Sequence, residues 1–237
     1  MTLQTELAEG VLTLRLNRPE RLNAIDEPSA RALLDALRSA AASAEVRVIV
    51  LRGNGRAFCA GRDVSAAPTP EILALVQDVS RAIVGSTKPV VVAVHGWAVG
   101  AGVEWMLDAD IVIAARSARF KLPEIGLGVF VTGGITRTLA AYAGLARAKE
   151  LLLLGEEFSA TDAERWGLIA SVVEDDRLDA ETARVAARLV GFDPAAVGRF
   201  QRVLNAMNLE GFEEVLAAET RMQTELEAWA GLPACDS

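Results

Sequence analysis

KPVVVAVHGWAVGAGVEWMLDAD, residues 88–110, is the stretch whose reading decides the fold. Its short apolar run of Val90, Val91, Val92, Ala93 and Val94 predicts a buried strand. Gly96, Gly100 and Gly102 then break the pattern before an apolar helix begins. A strand, tight turn and helix in that order present the unbonded N–H groups of the helix start, with their partial positive charge, to whatever lies beyond the strand end. Glu104 falls in the first turn of that helix, among Trp97, Val99, Val103, Trp105 and Met106. A carboxylate in such apolar company is costly to ionise, which makes Glu104 the first candidate for chemistry.

Outward from this centre the chain alternates strand and helix. Toward the N-terminus, residues 11–16 alternate apolar and polar and predict a half-buried strand. The polar loop NRPERLNAID leads to Asp26, a cap for a helix starting near Pro28 whose apolar stripe is Ala30, Leu33, Leu34, Leu37 and Ala41. Residues 46–51 predict a second buried strand, GNGRAFCAGRDVS a Gly-rich loop, and Thr69 with Pro70 the opening of another helix. Toward the C-terminus come strands at 111–115 and 120–122, the loop PEIGLGVFVTGG, and helices at about 134–142 and 146–154. A brief helix capped by Thr161 or Asp162 and a strand at 171–174 follow; from residue 178 only helices are predicted, at 180–190, 194–207 and 211–229. The alternation implies an α/β core of mostly parallel strands, residues 1–177, with a helical region over residues 178–237. Strand, Gly-rich loop and helix recur after Leu51, Val94 and Leu122, as stacked turns of a spiral would.

Composition narrows the class. A chain of 237 residues can bury a sizeable core, and a net charge of −8 excludes the basic surface that nucleic acid demands. Cys59 and Cys235 are too few for a disulfide framework or a metal cluster, and His95 is the one histidine. His95 is expected to be a satisfied core or loop residue and Cys59 a small buried one. With no basic start and no apolar run of about 18 residues, the expectation is a soluble, cytoplasmic protein that neither binds nor spans a membrane.

WAVGAG lacks the Gly order of a dinucleotide fingerprint, and no Gly-Lys-Ser/Thr occurs for a Walker-type loop. A second loop, FCAGRD at residues 58–63, also exposes backbone N–H groups after a strand. Two such loops at the same ends of neighbouring strands can aim two N–H donors at one point, the geometry that stabilises an oxyanion, each donor contributing about 2.7–4 kcal/mol.

The stretches LNRPERLNAID, VRVIVLRGNGRAFCAGRDV, KPVVVAVHGWAVGAGVEWMLDADIVIAARSARFKLPEIGLG and AKELLLLGEEFSATDAERWGLIASVV, in this order and spacing, resemble the crotonase family, the enoyl-CoA hydratase/isomerase superfamily, along nearly the whole chain. The resemblance implies a spiral of strand-strand-helix turns with a C-terminal helical region that mediates trimers, usually paired into hexamers. It implies an acyl-coenzyme A thioester as ligand, with no cofactor beyond the coenzyme A of the substrate. By position, the oxyanion donors are the N–H groups of Arg62 and Ala101, and the catalytic pair is Glu104 and Glu124. In the hydratases of that family two such carboxylates bind one water and add it across an α,β-unsaturated thioester. Arg21, Ala60, Arg62 and Asp63 are the implied coenzyme A contacts, and Trp97 and Phe130 are expected to wall the acyl pocket. A Δ3,Δ2-enoyl-CoA isomerase and a noncatalytic acyl-CoA-binding subunit are the alternatives. The chain departs from the family at Ser65, where many members have lysine, at VFVTGGITRT, and in the short loop from Asp63 to Thr69. It departs also in its tail, ETRMQTELEAWAGLPACDS, where members often carry a basic, Phe-containing helix.

Overall fold

A hairpin opens the chain: β1 (Leu3–Ala8) and β2 (Val11–Leu16) pair antiparallel through Glu9 and Gly10, whose positive φ values of 49° and 81° give a turn that matches strand twist. The computed structural model describes residues 1–65 and 69–230; the expectations for Cys235, the last residues of the tail and part of the Asp63-to-Thr69 loop fall outside them. After β2 come α1 (Glu27–Ala42), capped by Asp26 through the Ser29 amide, and β3 (Val48–Gly53). Next are α2 (Pro70–Val84), capped by Thr69, then β4 (Val90–Val94), β5 (Trp97–Val99) and α3 (Ala101–Leu107). β6 (Ile111–Ala115), β7 (Arg119–Lys121), the four-residue α4 (Glu124–Leu127) and α5 (Ile135–Leu154) follow. α5 is broken at Gly144, φ 77°, where the sequence predicts the gap between two helices. β8 (Glu157–Ser159), α6 (Ala160–Arg165), β9 (Ser171–Val173), α7 (Leu178–Val190), α8 (Pro194–Asn208) and α9 (Phe212–Ala230) complete the order.

The main sheet runs β1-β2-β3-β4-β6-β9, parallel from β2 onward, and β5-β7-β8 form a second, smaller sheet. The spiral lies in the registers. In the main sheet Ile49 stands beside Val90 and Val91 beside Ile111; in the second layer Cys59 bridges Ala98 and Ala98 pairs with Phe120. Each turn therefore gives one strand to the large sheet, a few extended residues to the small layer, and then a helix. This is the α/β strand-strand-helix spiral expected from the sequence.

Both faces of the sheet's centre, β3, β4 and β6, are dry, which is why these strands read as unbroken apolar runs. Ile49, Leu51, Val90, Val92, Val94, Val112 and Ala114 face the core shared with α1, α2, α3 and α5. Val48, Val50, Val91, Ala93, Ile113 and Ala115 face the other way, onto Leu178 and Ala186 of α7. Packing thus runs on past residue 177, because α7 covers the second face. Two local expectations are corrected. The brief helix α6 is capped by Ser159 in a reciprocal box with Asp162, not by Thr161 or Asp162, and the loop after Pro123 contains α4. No helix among the described residues is long and apolar enough to cross a membrane.

Candidate active site

Three segments meet at one cleft. Its wall includes Ala60, Gly61 and Arg62 of the FCAGRD loop, Gly100, Ala101 and Glu104 at the start of α3, and Glu124 of α4. The first loop is clamped from both sides. Leu22 and Ile25 take hydrogen bonds from the amides of Ala60 and Asp63, the Ile25 amide donates to Gly61, and on the other side Cys59 pairs with β5. Gly61 lies so close to β5 that a Cβ there would stand 2.7 Å from the Val99 carbonyl. Arg62 and Ala101 are brought together by that contact, since Val99 is two residues before Ala101. Ala101 is the first residue of α3, so its amide has no acceptor within the helix, and its helical backbone suits alanine as well as glycine.

Glu104 is 2% exposed. Its Oε1 accepts the Thr132 amide at 3.1 Å, and Oε2 is buried with no hydrogen-bond partner among the described residues. Burial, then the charges of Glu124 and Glu219, push its carboxyl up to about 8, while the amides of Thr132 and Gly133 oppose the rise. Gly133 packs directly on that side chain, since a Cβ there would stand 2.6 Å from Glu104 Oε2. Glu124, half-buried at the start of α4, is pushed up to about 7 by burial, with its own amide opposing. Its Oε1 sits against Gly100, where a Cβ would stand 2.6 Å away. Both carboxylates therefore exchange protons near neutral pH, beside a helix start that carries the Ala101 amide. The charge of one raises the other, so the two titrate as a coupled pair. It can orient a water, accept its proton on one carboxylate and return a proton to carbon from the other.

The structure separates the remaining candidates. Phe130 lines the cleft with Val129, Leu127 and Val76, whereas Trp97, half-buried at the start of β5, is not among the lining residues; Val99, at the other end of that strand, is. Ala60 and Arg62 line the mouth; Arg21 is exposed on the turn beside Leu22. Asp63, the last of the implied coenzyme A contacts, is held by its own chain. Ser65, then Arg18, hold its carboxylate below the usual range, and its oxygens take the Ser65 amide at 3.1 Å and Arg18 Nη2 at 3.2 Å. It anchors the loop, and as an anion it repels phosphate. His95 Nε2 meets the Gly55 carbonyl at 2.8 Å in a loop, and burial pushes the Cys59 thiol up to about 12.

Several residues that shape the site are not singled out by the sequence. Asn23, 2% exposed with φ 56°, donates to the carbonyls of Asn54 and Ala57 and accepts the Arg18 amide, pinning the loop that leads to FCAGRD. Thr132 and Gly133 hold Glu104. Gln223 of α9 lines the cleft and accepts the Phe130 amide at 2.6 Å.

Comparison with known proteins places the same segments in a common frame. The profile of a family described as Enoyl-CoA hydratase/isomerase matches residues 6–231. The chain is 36% identical over 230 residues to a 1,2-epoxyphenylacetyl-CoA isomerase of Escherichia coli (strain K12), covering 92% of this chain and 87% of that protein. It is 32% identical over 224 residues to a 2,3-dehydroadipyl-CoA hydratase of the same organism, covering 93% and 88%. Among solved structures, an enoyl-CoA hydratase from Mycobacterium avium subsp. paratuberculosis K-10 superimposes with a TM-score of 0.91 at 33% identity, covering 96% of this chain and 90% of that one.

Proposed function

The chain belongs to the enoyl-CoA hydratase/isomerase family, and from that premise we propose that it is an enoyl-CoA hydratase, adding water across the 2,3 double bond of an α,β-unsaturated acyl-CoA thioester. The observation that carries this is the pair Glu104 and Glu124, both raised into the neutral range and lining one cleft with the Arg62 and Ala101 backbone. The thioester oxygen lies against the two amides. One carboxylate takes a proton from water as the water oxygen bonds to Cβ, and the double-bond electrons move to the thioester oxygen as an enolate. The enolate then collapses, taking a proton at Cα from the other carboxylate. The pair ends with the number of protons it began with, so the net change is one water added. The amides lower the barrier because their dipoles already point where the charge appears.

Coenzyme A enters as part of the substrate, and no separate cofactor takes part. Arg62 at the mouth supplies local positive charge for its phosphates on a chain of net charge −8. A homo-oligomer, trimer or hexamer, is supported by α8, whose Phe200, Val203, Leu204 and Met207 form an apolar stripe 59–73% exposed. A Δ3,Δ2-enoyl-CoA isomerase is the second reading, favoured by a family description that names both activities. It needs one glutamate to carry a proton between two carbons and no bound water. Supplying a 2-enoyl and a 3-enoyl thioester separately distinguishes them. A hydratase converts the first to the 3-hydroxyacyl product; migration of the double bond with no hydroxyacyl product sinks the proposal.

A further inference from the structure

α9 carries four residues on one buried stripe, Phe212, Leu216, Glu219 and Gln223, and two of them are polar. Glu219 is 1% exposed and Gln223 2%. Nothing in the hydration chemistry uses Glu219, and a carboxylate so deeply buried needs a structural or functional reason.

The segment from Phe130 to Thr136 supplies it. Its amides alternate between two helices. Phe130 N–H goes to Gln223 Oε1 at 2.6 Å, on α9, and Thr132 N–H to Glu104 Oε1 at 3.1 Å, on α3. Gly134 N–H then goes to Glu219 Oε2 at 2.7 Å, and Thr136 N–H and Oγ1 to Glu219 Oε1 at 3.0 and 2.7 Å, back on α9. Gly134 is the N-cap of α5 and has no side chain to cap with; the Phe212 ring occupies the space a Cβ would need. Glu219 therefore caps α5 from another helix, satisfying amides that the local sequence leaves open. Between its two anchors on α9 the segment presents Thr132 and Gly133 to the buried carboxylate of Glu104. α9 is itself fixed on α2, where Gln77 Nε2 donates to the Leu216 carbonyl and to Thr220 Oγ1.

Building on the hydratase assignment, we propose that Glu219 and Gln223 are positioning residues of the active site. Glu219 sets the orientation of Glu104 through Gly134 and Thr132, and Gln223 sets the acyl wall through Phe130. Neither touches the reacting atoms. The C-terminal helix is thereby part of its own subunit's catalytic machinery, and residues far from the two site loops tune both rate and acyl selectivity.

The test compares Glu219→Ala, Glu219→Gln and Gln223→Leu in the full-length protein. Glu219→Ala is expected to lower kcat for crotonyl-CoA hydration about 100-fold with KM within about threefold, the cost of misplacing a catalytic group by about an ångström. Glu219→Gln, which keeps one of the two accepting oxygens and so can still take either the Thr136 or the Gly134 amide, is expected to restore at least about tenfold of that loss. Gln223→Leu is expected to change the ratio of kcat/KM between crotonyl-CoA and a longer 2-enoyl thioester about tenfold. A readout independent of turnover is the infrared C=O band of protonated Glu104 below neutral pH, assigned as the band lost in Glu104→Gln. It shifts in both Glu219 variants if Glu219 positions Glu104. An unmoved band overturns the proposal, as does kcat in Glu219→Ala within about threefold of wild type. The band decides the matter even if the wild type hydrates no enoyl thioester, and Glu219→Gln carries the same test if the alanine variant does not fold.

Discussion

Replacing Glu104 by glutamine should stabilise the protein at alkaline pH and leave it nearly unchanged at acid pH. The glutamine oxygen still accepts the Thr132 amide, so what the substitution removes is the ability to ionise. In the folded chain the Glu104 proton leaves at about 8 rather than at the ordinary 4.5. Between those values the folded state holds a proton that the unfolded chain has released. Unfolding then releases it, so rising pH favours unfolding, and the stabilisation present below about pH 4.5 is lost as pH rises through about 8. At 1.36 kcal/mol per pH unit the ceiling is about 5 kcal/mol, and the coupling to Glu124 brings the expected gain at about pH 8.5 to roughly 2–4 kcal/mol. Asp110, raised by burial to about 6, adds the same slope to both proteins, while Asp108, raised by burial and then by the Glu104 charge, is relieved in the variant and adds to the gain. Urea denaturation followed by tryptophan fluorescence across this pH range measures it. Wild type and Glu104→Gln curves that run parallel from about pH 5 to about pH 8.5 would refute a buried, proton-holding Glu104.

Gly133→Ala should cut kcat about tenfold or more with the fold intact, because the new methyl must displace Glu104 Oε2 while the backbone tolerates alanine; a kcat equal to wild type contradicts the contact. Asn23→Ala should cost about 2–4 kcal/mol in urea unfolding, since it strands the Asn54 and Ala57 carbonyls and places alanine at positive φ, and a loss under about 0.5 kcal/mol would contradict the clamp. Phe200→Glu should lower the sedimenting mass of the protein; a wild type that sediments as one chain removes the oligomer instead.

Long elements were legible because their patterns persist. The run at β4, the alternation of β2 and the apolar stripe of α1 each span enough residues for the period to show, and Asp26 and Thr69 mark helix starts by a side chain that caps. β5 and β8 have three residues each, too few to display alternation, and β5 hides inside the Gly-rich turn that draws attention for another reason. The hairpin partner β1 had a signal in the Glu9-Gly10 turn, but its face is largely exposed and the apolar alternation is weak. At the site, Glu104 was conspicuous as a charge in apolar sequence and Glu124 was matched through the family motif. Glu219 and Gln223 lie in ETRMQTELE, where acids and amides suit a solvated helix face. Their signal is positional: they continue the spacing of Phe212 and Leu216, which puts polar groups where the stripe is buried.

The most direct measurement is the initial rate of crotonyl-CoA hydration, followed by loss of the conjugated enoyl thioester absorbance, for the wild type, Glu104→Gln and Glu124→Gln. Hydration by the wild type, a drop of at least about 100-fold in each variant and thioester binding retained in all three are the predicted results. Undiminished hydration in either variant would contradict the two-carboxylate mechanism, and a wild type that binds the thioester without hydrating it would contradict the activity itself.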